Sequence, residues 1–94
     1  MALACSALLI ASAAGQLEVA KVLVARGANV RQKNPQGGTT LRAAADRGHL
    51  GVVKFLAERG VDPQVVDSFG KRAIDYAREN GHSDVVEYLS GLKR

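Results

Sequence analysis

A period of about 33 residues runs through the whole chain. Glycine followed by Gln or His recurs at this spacing, at Gly15, Gly48 and Gly81. Such self-similarity predicts stacked structural units, each of which buries its apolar face only against a neighbour, and the three units present are about the fewest that form a stable stack. Residues 1–33 and 34–66 share nine identities in this register, where unrelated segments would share about two. In the first of these segments the shared residues are Leu8, Ala11, Gly15, Leu17, Val19, Lys21, Leu23, Arg26 and Gly27.

Each unit is predicted to form two short helices followed by a loop. In the second unit, Thr39 is a favourable N-cap for a helix that continues to Arg47. A second helix is predicted from about Leu50 to Arg59, because apolar residues recur on one of its faces. Gly60 follows where the C-terminus of a helix favours a left-handed residue.

The loops between units are rich in Asp, Asn, Pro, Ser and Gly, which favours extended chain and tight turns. Gly37 and Gly70 mark the tips of the two connecting turns. We therefore predict an all-α repeat solenoid, in which helix–turn–helix units are joined by β-hairpin or turn loops. The expected organisation is a single domain over residues 1–94, with repeats at 1–33, 34–66 and 67–94, the last of them a C-terminal cap.

Composition narrows the class of protein. One cysteine, Cys5, excludes an internal disulfide and favours a reducing, intracellular location, cytoplasmic or nuclear. A secretory signal needs a basic N-terminal region, but the first Lys or Arg of this chain is Lys21. The apolar stretch 1–14 is also too short to span a membrane, so we expect no targeting segment and no membrane partner. A net charge of +4 gives only a weak preference for nucleic acid.

The segment Gly37 to Leu56 resembles the ankyrin repeat, and the resemblance extends over essentially the whole chain. Its GGTTLRAAADRGHLGVVKFL is similar to the family's Gly-x-Thr-Pro-Leu-His, paired alanines, Gly-His and Val-Val-x-x-Leu. The Thr-Pro-Leu-His tetrad itself is replaced in every unit, by SALL, TTLR and RAID. We expect the pair Arg42 and Asp75, which occupy one site in adjacent units, to form an ion pair in place of the missing histidine bonds.

Catalysis, cofactor binding and metal binding are not expected. His49 and His82 stand at equivalent turns, which favours a structural role, and one Cys with two His cannot supply a usual zinc site. Phe55 and Tyr88 share a position on an apolar helix face and are predicted to be core. Tyr76 is expected between stacked helices.

The resemblance implies a non-catalytic module that binds a partner protein through the hairpin tips and the concave surface of the first helices. Phe69 is the most informative of these positions: an exposed aromatic at a hairpin tip would be an interface anchor, whereas the alternative has its ring folded over Val65 or Val66. The expected partner-binding residues are Arg26, Pro35, Gln36, Asp46, Arg47, Arg59, Ser68, Phe69, Lys71 and Glu79.

Three hypotheses about the partner follow. The first is another protein, with an acidic segment as the simplest match to the basic residues. The second is nucleic acid or another anionic ligand on a basic strip, which lacks the interleaved aromatic residues that stack on bases. The third is a self-associating or designed scaffold without a natural ligand. Met1, Leu3, Leu9 and Ile10 would lie on or near a surface with no preceding repeat to cover it, so we expect either that the chain is the C-terminal piece of a longer array or that this end packs on a partner or a second copy. The basic strip consists of Arg26, Arg31, Lys33, Arg42, Arg47 and Arg59.

Overall fold

Six α-helices form three antiparallel pairs in a computed structural model that describes the backbone of residues 2–92 and the side chains of residues 7–92. The all-α solenoid predicted from the repeat is confirmed. None of the helices in this part of the chain has the length and apolar character to cross a membrane. The helices are α1 (Ala2–Ala14), α2 (Leu17–Ala25), α3 (Thr40–Asp46), α4 (Leu50–Glu58), α5 (Ala73–Glu79) and α6 (Ser83–Ser90).

The ends of the helices in the second unit follow from local chemistry. The Thr39 hydroxyl accepts a hydrogen bond of 3.0 Å from the backbone N–H of Arg42, and this bond satisfies one of the free donors at the start of α3. Gly48 has a φ of +76°, which lets the chain reverse between α3 and α4. α4 ends at Glu58, one residue before the predicted end, and Arg59 is its C-cap.

The first helices of the three units pack side by side as an inner row, α1 on α3 and α3 on α5, more closely than the outer row of α2, α4 and α6. Small side chains permit this approach, since Ala44, Ala45 and Ala77 are fully buried in the inner row. Leu8 and Leu41, which also belong to the inner row, are fully buried in the core. Alanine at these positions therefore sets how near one unit comes to the next.

The connecting loops take the turn form, one of the two forms predicted. Among residues 2–92, one isolated β-bridge joins Lys33 to Thr39. The loops are therefore tight turns with almost no β-sheet hydrogen bonding. α1 begins at Ala2, and the segment equivalent to the hairpin tips of the later units is helical. The side chains of Met1 and Leu3, which belong to the expected apolar surface, are not among those that the structure describes.

The histidines join one unit to the next. The Nε2 atom of His82 lies 3.1 Å from the carbonyl oxygen of Asp46 in the preceding unit. Its ring also lies against Gly48, and His49 lies in the same way against Gly15. These contacts support the predicted structural role of the histidines.

The prediction that Arg42 and Asp75 form an ion pair is wrong. Asp75 instead contacts Arg72 and Arg78, at 3.5 Å each, in its own unit. Arg42 lies over the ring of Tyr76, 4.8 Å from its centroid, so a cation–π contact connects the two units at this site.

Gly48 and Gly81 offer a matched test of the histidine contact. They are equivalent, with φ values of +76° and +74°, but a Cβ on Gly48 would lie 2.5 Å from Nδ1 of His82, whereas a Cβ on Gly81 would meet nothing within 4 Å. We expect Gly81→Ala to cost about 1–2 kcal/mol of unfolding free energy, for its left-handed backbone alone. Gly48→Ala should cost more, because His82 must also move and lose its bond, which adds about 0.5–1.5 kcal/mol.

Urea denaturation followed by circular dichroism measures both costs. In a His82→Ala background, the cost of Gly48→Ala should fall to that of Gly81→Ala. Equal costs in the wild-type background would show that His82 contributes nothing to stacking.

Candidate partner-binding surface

An asparagine organises the first connecting tip. Oδ1 of Asn34 accepts hydrogen bonds from the backbone N–H groups of Gln36 at 3.0 Å and Gly38 at 2.8 Å. The Asn34 N–H in turn donates to the Gly38 carbonyl at 2.9 Å. These bonds close the turn and leave Pro35 and Gln36 exposed at its tip.

Asp67 performs the same task in the second connecting tip, one sequence period after Asn34. Its Oδ1 atom accepts from the backbone N–H groups of Phe69 at 2.9 Å and Lys71 at 3.1 Å. The two tips are themselves joined, because the Ser68 N–H donates to the Gln36 carbonyl at 2.8 Å. The tips therefore form one continuous surface.

Tyr76 fixes this tip to the inner row of helices. Its hydroxyl donates to Oδ2 of Asp67, and its ring is flanked by Arg42 at 4.8 Å and by Nζ of Lys71 at 5.4 Å. Tyr76 is half-buried under these cations, and because Arg42 belongs to α3, the ring on α5 contacts the neighbouring stacked helix as expected. Phe55 is buried as predicted, and Tyr88 packs against the core while remaining partly exposed.

The ionisation of this pair follows from its contacts. Burial opposes ionisation of the Asp67 carboxyl, but hydrogen bonds from Tyr76, Lys71 and Phe69 outweigh burial, so the pKa of Asp67 lies below its ordinary value. The bond to Asp67, together with burial, raises the pKa of the Tyr76 hydroxyl. Near neutral pH, a charged carboxylate therefore accepts from a neutral phenol.

Phe69 projects from this braced tip. Its side chain is 70% exposed, and neighbouring Val66 is 54% exposed. The ring is therefore not folded away over Val65 or Val66, and the reading as an exposed aromatic is the one that agrees with the structure. An apolar surface of this kind, held by a rigid backbone, is typical of interface anchors.

The charged residues expected at the surface have different environments. Lys71 and Glu79 form a pair at 2.7 Å, and this bond raises the pKa of the Lys71 ammonium. Asp46 is half-buried, and its side chain accepts a hydrogen bond of 2.6 Å from the Asn80 amide of the next unit. Asp46 therefore contributes to the contact between units. Arg47 is exposed at the C-cap of α3.

A family model described as Ankyrin repeats (3 copies) matches residues 5–93, which is nearly the entire chain. The chain belongs to the ankyrin repeat family. Ankyrin repeats generally act in protein–protein interaction, and their domains are typically non-catalytic binding modules. A comparison with curated proteins yields no match.

Two of the expected binding residues lie away from the tips of this ankyrin stack. Arg59 packs over Phe55, 5.2 Å from its ring centroid, in a groove of about 530 Å³ between α2 and α4. Arg26 has the equivalent position after α2 and is likewise exposed. The proposed basic strip is therefore divided, with Arg26 and Arg59 on the outer row and Arg42 half-buried over Tyr76. The groove is lined by Lys21, Val24, Ala25, Phe55, Glu58 and Arg59.

Asp67 was not among the residues singled out from the sequence, although a signal for it existed. Asn34 and Asp67 occupy the same position in successive repeats, and Asn and Asp are the side chains that bond to the backbone two residues onward in turns. The repeat register combined with this chemistry could have identified Asp67 as the organiser of its tip.

The bond between Asp67 and Tyr76 makes stability depend on pH. Asp67→Asn keeps the turn, as Asn34 shows for its own tip, but removes the charged acceptor of the Tyr76 hydroxyl. Because the folded pKa of Asp67 lies below its unfolded value of about 3.9, the stabilisation is present above that value and is lost as pH falls through the folded pKa.

We therefore expect Asp67→Asn to lower the free energy of unfolding at neutral pH, and expect the difference from wild type to shrink in acid. Asp67→Ala should cost more at neutral pH, roughly 1–3 kcal/mol, because two backbone donors also lose their acceptor. Urea denaturation across a pH series measures both. A difference between Asp67→Asn and wild type that stays constant down to about pH 2 would contradict this account.

Proposed function

We propose that this ankyrin domain binds another protein through its tip surface, which consists of Pro35, Gln36, Ser68 and Phe69. Lys71 follows the second tip directly, and Arg47 lies at the C-terminal end of the inner helix α3. The observation that carries the proposal is the exposure of Phe69 on a turn that Asp67 holds through two backbone bonds and Tyr76 braces from below. An ordered tip loses little conformational entropy on binding, so contact with the ring contributes more fully to affinity.

We further propose that the bound segment is acidic and carries an apolar side chain. The chain has a net charge of +4, Arg47 is exposed, and Lys71 lies immediately after the tip. Opposite charge on a partner would speed association and align it with the tips. The apolar side chain would pack on Phe69 and supply most of the affinity.

We propose that the domain is not an enzyme. Its histidines are engaged in contact between units: Nε2 of His82 faces the carbonyl of Asp46, and both rings lie against the turn glycines of the preceding unit. Lys71, which follows the second tip, is paired with Glu79.

Selection from a displayed library of random peptides tests the binding proposal. Selected peptides should be enriched in Asp and Glu around an apolar residue, and their dissociation constants can be measured by fluorescence anisotropy. Phe69→Ala should raise these constants by about tenfold or more, while Val22→Ala, the matched control at an exposed apolar side chain on α2, away from the tips, should change them little. Peptides that bind both variants and wild type equally would overturn the tip surface as the site.

A charge reversal tests the acidic character separately. Arg47→Glu should weaken the selected peptides and reduce the dependence of binding on salt. Lys54→Glu changes the net charge by the same amount but lies on the outer helix α4, so it should have a much smaller effect. Equal effects of the two variants would show that overall charge matters and that the position of Arg47 does not.

A further inference from the structure

An apolar stripe on α2 is exposed where its counterparts in the next unit are buried. Val19 and Val22 are 47% and 52% exposed, whereas the equivalent Val52 and Phe55 are 2% and 9% exposed. In the second unit these positions face the first unit, which covers them. In the first unit, the same two positions are exposed.

The first unit has one more exposed large apolar side chain on α1, and charged residues lie on either side of Val22 along α2. Ile10 is exposed on α1 and adds a third large apolar side chain. Glu18 and Arg26 are four residues before and four residues after Val22, so all three lie on one side of α2. Ile10, Val19 and Val22, with Glu18 and Arg26, are called the α2 face below.

The opposite end of the stack has a different character. Val24 of α2 lines the groove against α4, and its equivalent in α4, Ala57, is buried. The equivalent in α6 is Ser90, which is polar and exposed, and the neighbouring Glu87 is exposed as well. A head-to-tail stack of two molecules would therefore place part of the apolar α2 face on the polar side chains of Ser90 and Glu87.

We propose that the α2 face binds the α2 face of a second copy of this chain, with the two α2 helices antiparallel. When Val22 lies opposite Val22 of the second copy, Glu18 comes opposite Arg26 of that copy, because both are four residues from the centre. The two-fold symmetry of such a contact repeats this charge pair on the other side. The α2 face is therefore complementary to a second copy of itself, in both its apolar and its charged side chains.

The dimer is weak. A stable interface of ordinary size buries about 1,200–2,000 Å² in total, and the α2 face offers three large apolar side chains. Glu18 is also held only loosely in the single chain, since its contact with Lys21 is 3.7 Å long and both side chains are well exposed. Association should therefore depend on concentration and leave the tip surface free.

Sedimentation equilibrium over a range of concentrations tests the proposal with the chain itself. Wild type should pass from monomer to dimer and no further, because a two-fold contact closes on itself. Val22→Glu should raise the dissociation constant of the dimer by about tenfold or more. Val66→Glu is the matched control, since Val66 is 54% exposed and lies on the hairpin, and it should leave the constant unchanged.

A charge exchange tests the antiparallel register. Glu18→Arg and Arg26→Glu, each alone, place like charges opposite one another and should weaken the dimer, whereas the double variant should restore it. Loss of the contact between Glu18 and Lys21 cannot explain such a rescue, because the double variant lacks that contact too. Circular dichroism confirms that each variant remains folded.

A monomer at every concentration would overturn the proposal, as would a Val66→Glu effect as large as that of Val22→Glu. A double variant no stronger than the single ones would overturn the antiparallel arrangement. The peptide-binding test of the tip surface is independent of this result, because Val22→Glu should leave the affinity for the selected peptides unchanged.

Discussion

The burial of each unit's apolar face against its neighbour is the constraint on which the rest of the structure depends. Two short helices cannot enclose a core by themselves, so Leu8 and Leu41 are fully buried only because the units stack. The inner row comes close enough for this because Ala44, Ala45 and Ala77 stand at its contacts. Polar contacts between units, such as His82 with the Asp46 carbonyl and Arg42 with Tyr76, then align a stack that apolar burial has already formed.

The binding surface is a consequence of the same stacking. Asn34 and Asp67 order each tip locally, but Tyr76 connects the second tip to α5, and Arg42 of the preceding unit covers the Tyr76 ring. The direction in which Phe69 points is thus set by two units together. This arrangement explains how a loop with little β-ladder can present an aromatic side chain without folding it inward.

Much of the fold was predictable from the sequence, because it depends on residues that recur with the period. The turn glycines, the Thr39 cap and the helix limits follow from local chemistry that each repeat presents again. Side-chain partners were less predictable, since they depend on which neighbour a rotamer reaches. Arg42 is an example, because it contacts the Tyr76 ring and not Asp75. The Asp75 carboxylate already accepts a hydrogen bond of 2.8 Å from the backbone N–H of Arg72.

The same position in the repeat performs different tasks according to its neighbours. Lys54 reaches over the ring of Tyr88, with Nζ 5.8 Å from the centroid, and the residue three before it is Gly51. Lys21 is its equivalent, but there the residue three before is Glu18, and the Lys21 ammonium group lies 3.7 Å from the Glu18 carboxylate.

The groove between α2 and α4 remains open beside Phe55, and Arg59 covers the ring instead. Equivalent positions of the repeat thus make different contacts in different units, although the helices recur. In an ankyrin stack, the period therefore determines the shape of the scaffold, and the departures from the period determine where it can bind.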